Sequence, residues 1–325
     1  MYKGKNYTCI SLCSLIIYLG KIFGKLFRKE RIERMKKKKR WGDRKDGTRV
    51  RDIDGLHAIM TNLFPNRCDA EVYIQEQFDV TNVLKYVEEH NGEGAEFKMT
   101  PFHLFVHALG KLIYHRPLLN RFIQGRRIYD RNVITLAFVV RRKFEDKSEE
   151  LLLVMPIDEN QTLNDTCKTI IGDASDLRNG KPVGIDSAFD FYMKLPRFGQ
   201  RLFMQAFRIM DFHGWVPESI TKDDSNYATL MMSNLGSVKC DAPYHHLNNY
   251  GTTSIMVTIG EIHKAPVLNK DGESEIRDVV NFGITLDERI ADGFYFARCV
   301  KLLKEYIEHP ECLELPVKED PGYDY

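Results

Sequence analysis

Hydrophobic and polar positions first form a clear pattern near residue 71. Residues 71–80 alternate, as a half-buried β-strand does, with apolar side chains at Val72, Ile74, Phe78 and Val80. Thr100 and Pro101 then supply an N-cap residue and a first helical residue. Apolar residues recur at helical spacing from there to Ile113. The pattern therefore predicts a strand followed by a long helix.

The rest of the chain alternates between the same two kinds of element. Helices are predicted from Thr81, as cap, to residue 90, from Thr162, as cap, to residue 178, and over residues 189–212 with a break near Pro196. Strands are predicted as two short segments around Gly125 and over residues 132–143, 151–157, 227–233, 252–262 and 276–286. Long helices alternating with strands favour an α/β fold with a largely buried sheet.

Composition predicts a globular protein in a reducing compartment. Of the 325 residues, 43% are hydrophobic and 29% are charged, as in soluble globular proteins. The seven cysteines form no Cys-x-x-Cys pair and no zinc spacing, so reduced thiols, a cytoplasmic location and no metal site are predicted. Without a Pro- or Ser-rich linker in the body, residues 47–325 are predicted to form one domain.

Charge separates residues 1–46, a basic N-terminal tail, from the rest. Residues 1–50 contain 16 Lys or Arg and 4 Asp or Glu, whereas the remaining residues contain 31 and 42. The acidic body predicts no nucleic-acid binding. The apolar run at residues 9–20 is too short to span a membrane, and a basic run follows at residues 36–40. Two interpretations stay open: the tail binds an anionic membrane surface, or translation begins at Met35.

Several short motifs carry little information when each is taken alone. Ser233-Asn234-Leu235-Gly236 follows a predicted strand, where Gly236 allows a tight turn and Ser233 offers a hydroxyl to a cavity. His245 and His246 are adjacent, so on a strand they would face opposite sides and would not share a metal. His103 and His107 lie four apart on a predicted helix without the glutamate of a metalloprotease, and a structural role is expected.

The most informative stretch is Asp287-Glu288-Arg289-Ile290-Ala291-Asp292-Gly293, between a predicted strand and a predicted helix. It resembles the His-x-x-x-Asp-Gly signature of the chloramphenicol acetyltransferase and 2-oxoacid dehydrogenase acyltransferase superfamily, with Glu288 where the family has its catalytic histidine. Further resemblances follow in the family's order across about residues 50–310. They lie at residues 78–81, 99–120, 132–140, 151–157, 233–236, 254–260 and 286–297.

The resemblance implies a two-layer α/β sandwich with a mixed sheet, chloramphenicol acetyltransferase-like. It also implies a homotrimer with active sites between subunits and coenzyme A or acyl-CoA as substrate. By position, Glu288 stands for the base, Ser233 for the oxyanion donor and Asp292 for the residue that holds the architecture. Arg51 is the nearest candidate to pair with that aspartate. No lipoyl attachment site is found, so a free-standing catalytic domain is expected, with a small-molecule acyl acceptor or a lipoyl domain in trans.

The glutamate leaves the function open between three classes. A free glutamate has a pKa of roughly 4.3 and a thiol one of roughly 8.5, so a carboxylate is a weak base for a thiol. In the first hypothesis the protein is an acyltransferase in which Glu288 or a nearby histidine such as His246 is the base. In the second it is a catalytically silent member that binds acyl-CoA or assembles with a dehydrogenase complex. In the third the same scaffold has an unrelated function.

Overall fold

The computed structural model of the protein describes residues 40–141, 150–179, 192–268 and 271–322. Compactness divides the chain after Asp43 into residues 1–43 and residues 44–325. The boundary after residue 46 stays a prediction, and the interpretations of residues 1–34 lie outside the described residues.

The described elements are seven helices and ten strands, with short 3-10 turns between them. The helices are α1 (Gly55–Leu63), α2 (Thr81–His90), α3 (Pro101–His115), α4 (Leu163–Arg178), α5 (Arg197–His213), α6 (Glu218–Thr221) and α7 (Gly293–Glu308). The strands are β1 (Gly47–Arg49), β2 (Glu71–Asp79), β3 (Arg121–Gln124), β4 (Arg127–Arg131), β5 (Ile134–Arg141), β6 (Glu150–Ile157), β7 (Leu230–Asn234), β8 (Ile255–Ile259), β9 (His263–Leu268) and β10 (Ser274–Asp287).

The main sheet is mixed, and helices cover one of its faces. Its strand order is β2-β10-β8-β7-β5-β6, with β9 paired to the first half of β10. β7 runs parallel to both β5 and β8, whereas β10 runs antiparallel to β2, β8 and β9. Helices α3 and α7 pack against each other and against this sheet, and Phe105 of α3 meets Phe282 of β10 edge to face at 5.3 Å. The predicted fold class, a two-layer α/β sandwich with a mixed sheet, is confirmed.

The register of β10 gives the sheet two different faces. Phe282, Ile284 and Leu286 point into the core, so Gly283 and Thr285 point to the opposite face. The 239–254 loop crosses that opposite face. A Cβ on Gly283 would lie 2.6 Å from the carbonyl oxygen of Pro243, so only glycine allows this close approach of the loop.

Helix α3 begins at Pro101, as predicted. The N–H of Thr100 donates to Nδ1 of His103 at 3.0 Å. Burial lowers the pKa of His103 to about 4, so its ring stays neutral and able to accept. Nδ1 of His107 lies 2.8 Å from the hydroxyl of Thr166, and burial lowers its pKa to about 4 as well. Both histidines therefore belong to the core of the domain.

Of the two other predicted helix caps, Thr81 is wrong and Thr162 is confirmed. Thr81 is not the cap of α2, because Val80 occupies the N-cap position and the carboxylate of Asp79 accepts the Thr81 N–H at 2.9 Å. Thr162 does cap α4, and its hydroxyl accepts from the N–H of Asp165. Elements β1, α1, α6 and β9 were not predicted.

A second, three-stranded sheet has the order β1-β4-β3, and helices α1 and α5 pack on it. The Arg131 guanidinium lies 4.6 Å from the centre of the Phe122 ring and donates to the carbonyl oxygens of Tyr227 and Thr252. Burial lowers the pKa of Arg131 to about 10. The Arg131 side chain thus links this small sheet to the segments that precede β7 and β8.

The described cysteines are free thiols. Cys167, Cys299 and Cys312 are buried, and burial raises the pKa of each to about 12. Within the described ranges, no group of three His, Cys, Asp or Glu side chains is arranged to hold a metal ion.

No helix in the described part of the chain has the length and apolar character needed to cross a bilayer.

Candidate active site

The turn after β10 presents Glu288 at the end of the sheet. The N–H of Glu288 donates to the carbonyl oxygen of Ala70 at 2.9 Å, which fixes the turn against the start of β2. The Glu288 side chain is half-buried. Its carboxylate makes no hydrogen bond or ion pair with any other residue that the structure describes. Glu288 is therefore held by its backbone and has a side chain available for a ligand or for a second protein chain.

The residues on either side of Glu288 form a buried ion pair. Arg289 Nε lies 2.7 Å from Asp287 Oδ1, and Arg289 Nη2 lies 2.6 Å from Asp287 Oδ2. Both side chains are buried, and Arg289 also donates to the carbonyl oxygen of Phe64 at 2.7 Å. A bidentate pair of this kind fixes both side chains in one orientation, so the backbone at Glu288 is held from both sides.

A second arginine joins this cluster from a distant part of the sequence. Arg67 is buried, and its Nε lies 3.8 Å from Asp287 Oδ2. Its guanidinium donates to the carbonyl oxygens of Asn248 and Gly251, each at 2.8 Å. Burial lowers the pKa of Arg67, and the Asp287 carboxylate opposes that shift. Arg67 thereby ties the 239–254 loop to the strand end that carries Glu288.

His246 lies on that loop, at the same end of the sheet as Glu288. The N–H of Leu247, the next residue, donates to the Glu71 carboxylate, and Glu71 is the register partner of Asp287. The His246 ring is exposed and stacks on His245 at 4.6 Å between ring centres. The two histidines lie in a loop rather than on a strand, so the expectation of opposite faces does not apply.

Asp292 acts as the N-cap of α7. Its carboxylate accepts a hydrogen bond from the N–H of Tyr295 at 2.7 Å, and its side chain is exposed. Carboxylates at this position stabilise the first turn of a helix. Arg51, the candidate partner, donates to the carbonyl oxygen of Arg49 at 3.0 Å. Arg289, within the motif stretch, pairs with Asp287.

Ser233 lies on β7, half-buried, on the face opposite to the core residue Met232. The turn that follows requires glycine at position 236 because a side chain would not fit there, and not because the backbone is left-handed. A Cβ on Gly236 would lie 2.4 Å from the carbonyl oxygen of Gly260. The left-handed residue of this turn is Lys239, with φ of 59°. The tight turn predicted at Gly236 is present, and its backbone brings β7 and β8 into close contact.

Ser233 and Glu288 do not meet within one chain. Ser233 pairs with Thr258, and Thr258 pairs with Gly283, which is five residues before Glu288. Five residues of strand span about 16 Å, and two strand spacings about 10 Å, so the two Cα atoms are about 19 Å apart. Side chains of this length do not close such a gap. A site that contains both residues therefore needs two copies of the chain.

The sequence interpretation gave no role to Arg67 or Asp287. Arg67 lies in no motif, and Asp287 opens the motif stretch but precedes its signature residues. The acceptors of Arg67 on the 239–254 loop are more than 180 residues away in sequence, and another, the carbonyl oxygen of Ile123, is 56 residues away. Their burial side by side with opposite charge is visible only in the fold.

Together these observations define a two-layer α/β sandwich with a mixed sheet, and a half-buried glutamate, Glu288, in the turn after β10. Residues 217–315 match the model of the 2-oxoacid dehydrogenases acyltransferase (catalytic domain) family. The chain is homologous to the acyltransferase catalytic domain of 2-oxoacid dehydrogenase complexes, at low identity, and the predicted resemblance is confirmed.

One curated relative covers most of the chain. This is the lipoamide acyltransferase component of the branched-chain alpha-keto acid dehydrogenase complex of Bacillus subtilis (strain 168), 23% identical over 258 residues. The match covers 77% of this chain and 50% of the relative, so the chain spans about half the length of that protein.

Solved structures show the same fold at low sequence identity. A probable dihydrolipoamide acetyltransferase from Listeria monocytogenes matches with a TM-score of 0.54 at 16% identity, covering 86% of this chain and 99% of that one. The cubic core of a pyruvate dehydrogenase multienzyme complex matches with a TM-score of 0.55 at 14% identity, covering 82% and 94%. The dihydrolipoamide acetyltransferase of Azotobacter vinelandii matches with 0.54 at 15%, also covering 82% and 94%.

Proposed function

We propose that this protein is a CoA-dependent acyltransferase whose active site forms between two copies of the chain, with Glu288 as the base. The observation that carries the proposal is the state of Glu288. Its carboxylate is half-buried and has no partner among the described residues, while the neighbouring Arg289 is fully engaged by Asp287. A structural glutamate in this turn would be expected to take the arginine for itself.

The proposed assembly is the homotrimer that the family resemblance implies. A closed ring of three copies places the Glu288 end of one sheet against the Ser233 region of the next, in a heterologous contact. This contact brings Ser233 of one copy close to Glu288 of the next. Within one chain the two residues are about 19 Å apart and do not meet. The likeness to the core of a pyruvate dehydrogenase complex supports an assembled form.

The proposed chemistry is transfer of an acyl group between two thiols. Glu288 accepts the proton of the attacking thiol as its sulfur bonds to the thioester carbonyl carbon. The Ser233 hydroxyl of the neighbouring copy donates a hydrogen bond to the oxyanion. The carbon–sulfur bond of the original thioester then breaks, and the departing thiolate takes the proton back from Glu288. CoA is one thiol, and a dihydrolipoyl group in trans or a small thiol is the other.

Residue positions in a related enzyme support these roles. In the Azotobacter vinelandii enzyme, a serine, a histidine and an asparagine four residues after the histidine have been investigated for their role in catalysis. Glu288 and Asp292 have the same four-residue interval here, and Ser233 precedes them along the chain, as the serine precedes the histidine there. His246 is the second candidate base, because its loop is anchored to the strand end that carries Glu288.

Glu288→Gln tests the base. It keeps the shape of the side chain and removes the proton acceptor, so acyl transfer from acetyl-CoA to dihydrolipoamide should fall roughly 100- to 10,000-fold. The KM for acetyl-CoA should change little. Glu93→Gln, an exposed glutamate in the loop between α2 and α3, is the matched control and should keep full activity. Thiol release is the readout, followed with a chromogenic disulfide.

Three outcomes separate the hypotheses. If Glu288→Gln turns over as fast as the native protein, Glu288 is not the base and His246→Gln becomes the decisive variant. If the native protein transfers no acyl group but binds acetyl-CoA in a calorimetric titration, it is the catalytically silent member. If it neither transfers nor binds, the scaffold has another function.

A cytoplasmic location stays part of the proposal.

A further inference from the structure

Helix α5 has an apolar face that points away from the protein. The large side chains on it, which we call the outer face, are Phe198, Leu202, Ile209 and Phe212, exposed by 75%, 64%, 57% and 46%. Their spacing of four, seven and three residues places them in one stripe along the helix. Trp215, two residues after the end of the helix, is 63% exposed and stacks on the ring of His213.

The opposite side of α5 is fixed to the protein, so the exposure of the outer face is not a fraying end. Asp211 is buried, accepts the Tyr227 hydroxyl at 2.7 Å and accepts the Gly251 N–H at 3.0 Å. Phe207 packs edge to face on Tyr250 at 5.8 Å. The orientation of the helix is therefore fixed, and its apolar stripe faces away from the protein.

A second stripe, of positive charge, runs beside the apolar one. Arg197, Arg201 and Arg208 are all exposed and recur at helical spacing, and Lys194 precedes the helix. In residues 192–217 the sequence has a single acidic residue, Asp211, whose carboxylate is buried. The surface is therefore basic and apolar on a body that is acidic as a whole, with 31 basic and 42 acidic residues beyond residue 50.

We propose that the outer face of α5 docks on an anionic lipid bilayer, with the helix lying in the plane of the surface. Phenylalanine, leucine, isoleucine and tryptophan side chains enter the boundary between head groups and acyl chains. The arginines extend their charged groups to the lipid phosphates. The helix has 17 residues and is bonded to the protein on its inner side, so it lies on the bilayer and does not cross it.

Charge complementarity favours a bilayer over a second copy of the chain. A two-fold contact between two α5 helices would bring the arginines of one copy toward those of the other, which is unfavourable. An anionic bilayer offers hydrocarbon and negative charge side by side, in the arrangement that the two stripes require. This inference does not rest on acyl transfer, nor on the predicted membrane contact of residues 1–46.

Tryptophan fluorescence of the full chain can report lipid contact at the end of α5 and at no other segment. The chain has two tryptophans, Trp41 and Trp215, and Trp41 is 86% exposed. Trp41→Phe therefore leaves Trp215, just after the end of α5, as the sole reporter. The probes are vesicles of phosphatidylcholine alone, vesicles with about 30% phosphatidylglycerol, and the latter with brominated acyl chains.

The expected result is a blue shift of Trp215 emission and quenching by the brominated lipid, with phosphatidylglycerol vesicles only. In the Trp41→Phe background, Leu202→Gln with Ile209→Gln should abolish the shift. Arg201→Gln with Arg208→Gln should weaken binding about 25-fold, at about fivefold for each charge. Leu268→Gln, at a 72% exposed leucine on β9, is the matched control and should bind as the parent does. Glutamine is a good helix former, so α5 should persist.

Three results would overturn the proposal. The first is Trp215 emission that does not respond to anionic vesicles, even if the protein sediments with them through another segment. The second is equal binding by the parent and by both paired variants. The third is a smaller oligomer, seen by sedimentation without lipid, in the Leu202 and Ile209 variant, which would assign the outer face to contact between copies.

Discussion

Two inactive variants should restore activity when they are mixed, because Ser233 and Glu288 lie at different places on the sheet. Within one chain their Cα atoms are about 19 Å apart, by five residues of strand and two strand spacings. Reacting groups must come within about 3–3.5 Å of each other. Ser233→Ala removes the oxyanion donor of one side of the site, and Glu288→Gln removes the base of the other.

The size of the recovery follows from the assembly. In a ring, each site takes its serine from one copy and its glutamate from the neighbour. When equal amounts of the two variants assemble at random, about one site in four contains both native residues. A trimer that contains both variants always has one such site in three, so about 33% of native activity should return in the mixed trimers. Neither variant alone should exceed the level left after loss of the base or of the oxyanion donor, roughly 100-fold or more below native.

The assay is thiol release from acetyl-CoA. The two variants are co-expressed with different affinity tags, and assemblies that carry both tags are isolated. Ser233→Ala mixed with the double variant, Ser233→Ala and Glu288→Gln, is the control, since none of its sites has the serine. Mixed trimers of the expected mass that show no recovery would refute the shared site, and so would a native chain that is fully active as a monomer.

Three further predictions concern stability and are measured by urea unfolding. Arg289→Met leaves the carboxylate of Asp287 buried without its bidentate partner and should cost about 3–5 kcal/mol. Arg121→Met, which removes a surface pair with Asp130, should cost less than about 1 kcal/mol. His103 and His107 have a pKa of about 4 in the folded protein and near 6.5 when unfolded, so the unfolded state takes up protons first as the pH falls. The free energy of unfolding should therefore decrease by about 1.4 kcal/mol per pH unit for each histidine between these values, with a shallower slope in His107→Gln. Val257→Ile fills part of a cavity of about 30 Å³ beside α3 and α7 and should stabilise by about 0.8 kcal/mol, whereas Val280→Ile, buried away from that cavity, should destabilise by about 1–3 kcal/mol. A destabilising Val257→Ile would mean that the cavity does not admit the extra methyl group.

The elements that the sequence predicted best are those whose local signals agree with their packing. Thr100-Pro101 is a strong local signal for a helix start, and the last nine residues of β10 are buried apart from Asn281. The missed strand β9 contains Pro266 and has mostly exposed side chains, so it lacks the alternation of a half-buried strand. Helix α1 was missed for a different reason. Its Leu56, Ile59 and Leu63 are exposed, so its apolar stripe does not mark a buried face of the described chain.

The candidate site was predicted in its order along the chain and not in its spatial arrangement. Glu288 and Asp292 lie in the turn between strand and helix where the motif placed them. The distance between Ser233 and Glu288 depends on the pairing of β7, β8 and β10, and a motif in one dimension contains no strand order. The same limit applies to Arg67, whose partners are brought to it by the path of the 239–254 loop.

The buried charges beside Glu288 fix its backbone without engaging its side chain. Arg67 and Arg289 both approach the buried Asp287 carboxylate, and the buried Asp211 carboxylate also acts on Arg67. Among the described residues, none pairs with the Glu288 carboxylate, so Glu288→Gln and Glu288→His should leave the Asp287–Arg289 pair in place. A change of activity in either variant can therefore be assigned to the group at position 288, because the turn that carries it is held by other residues.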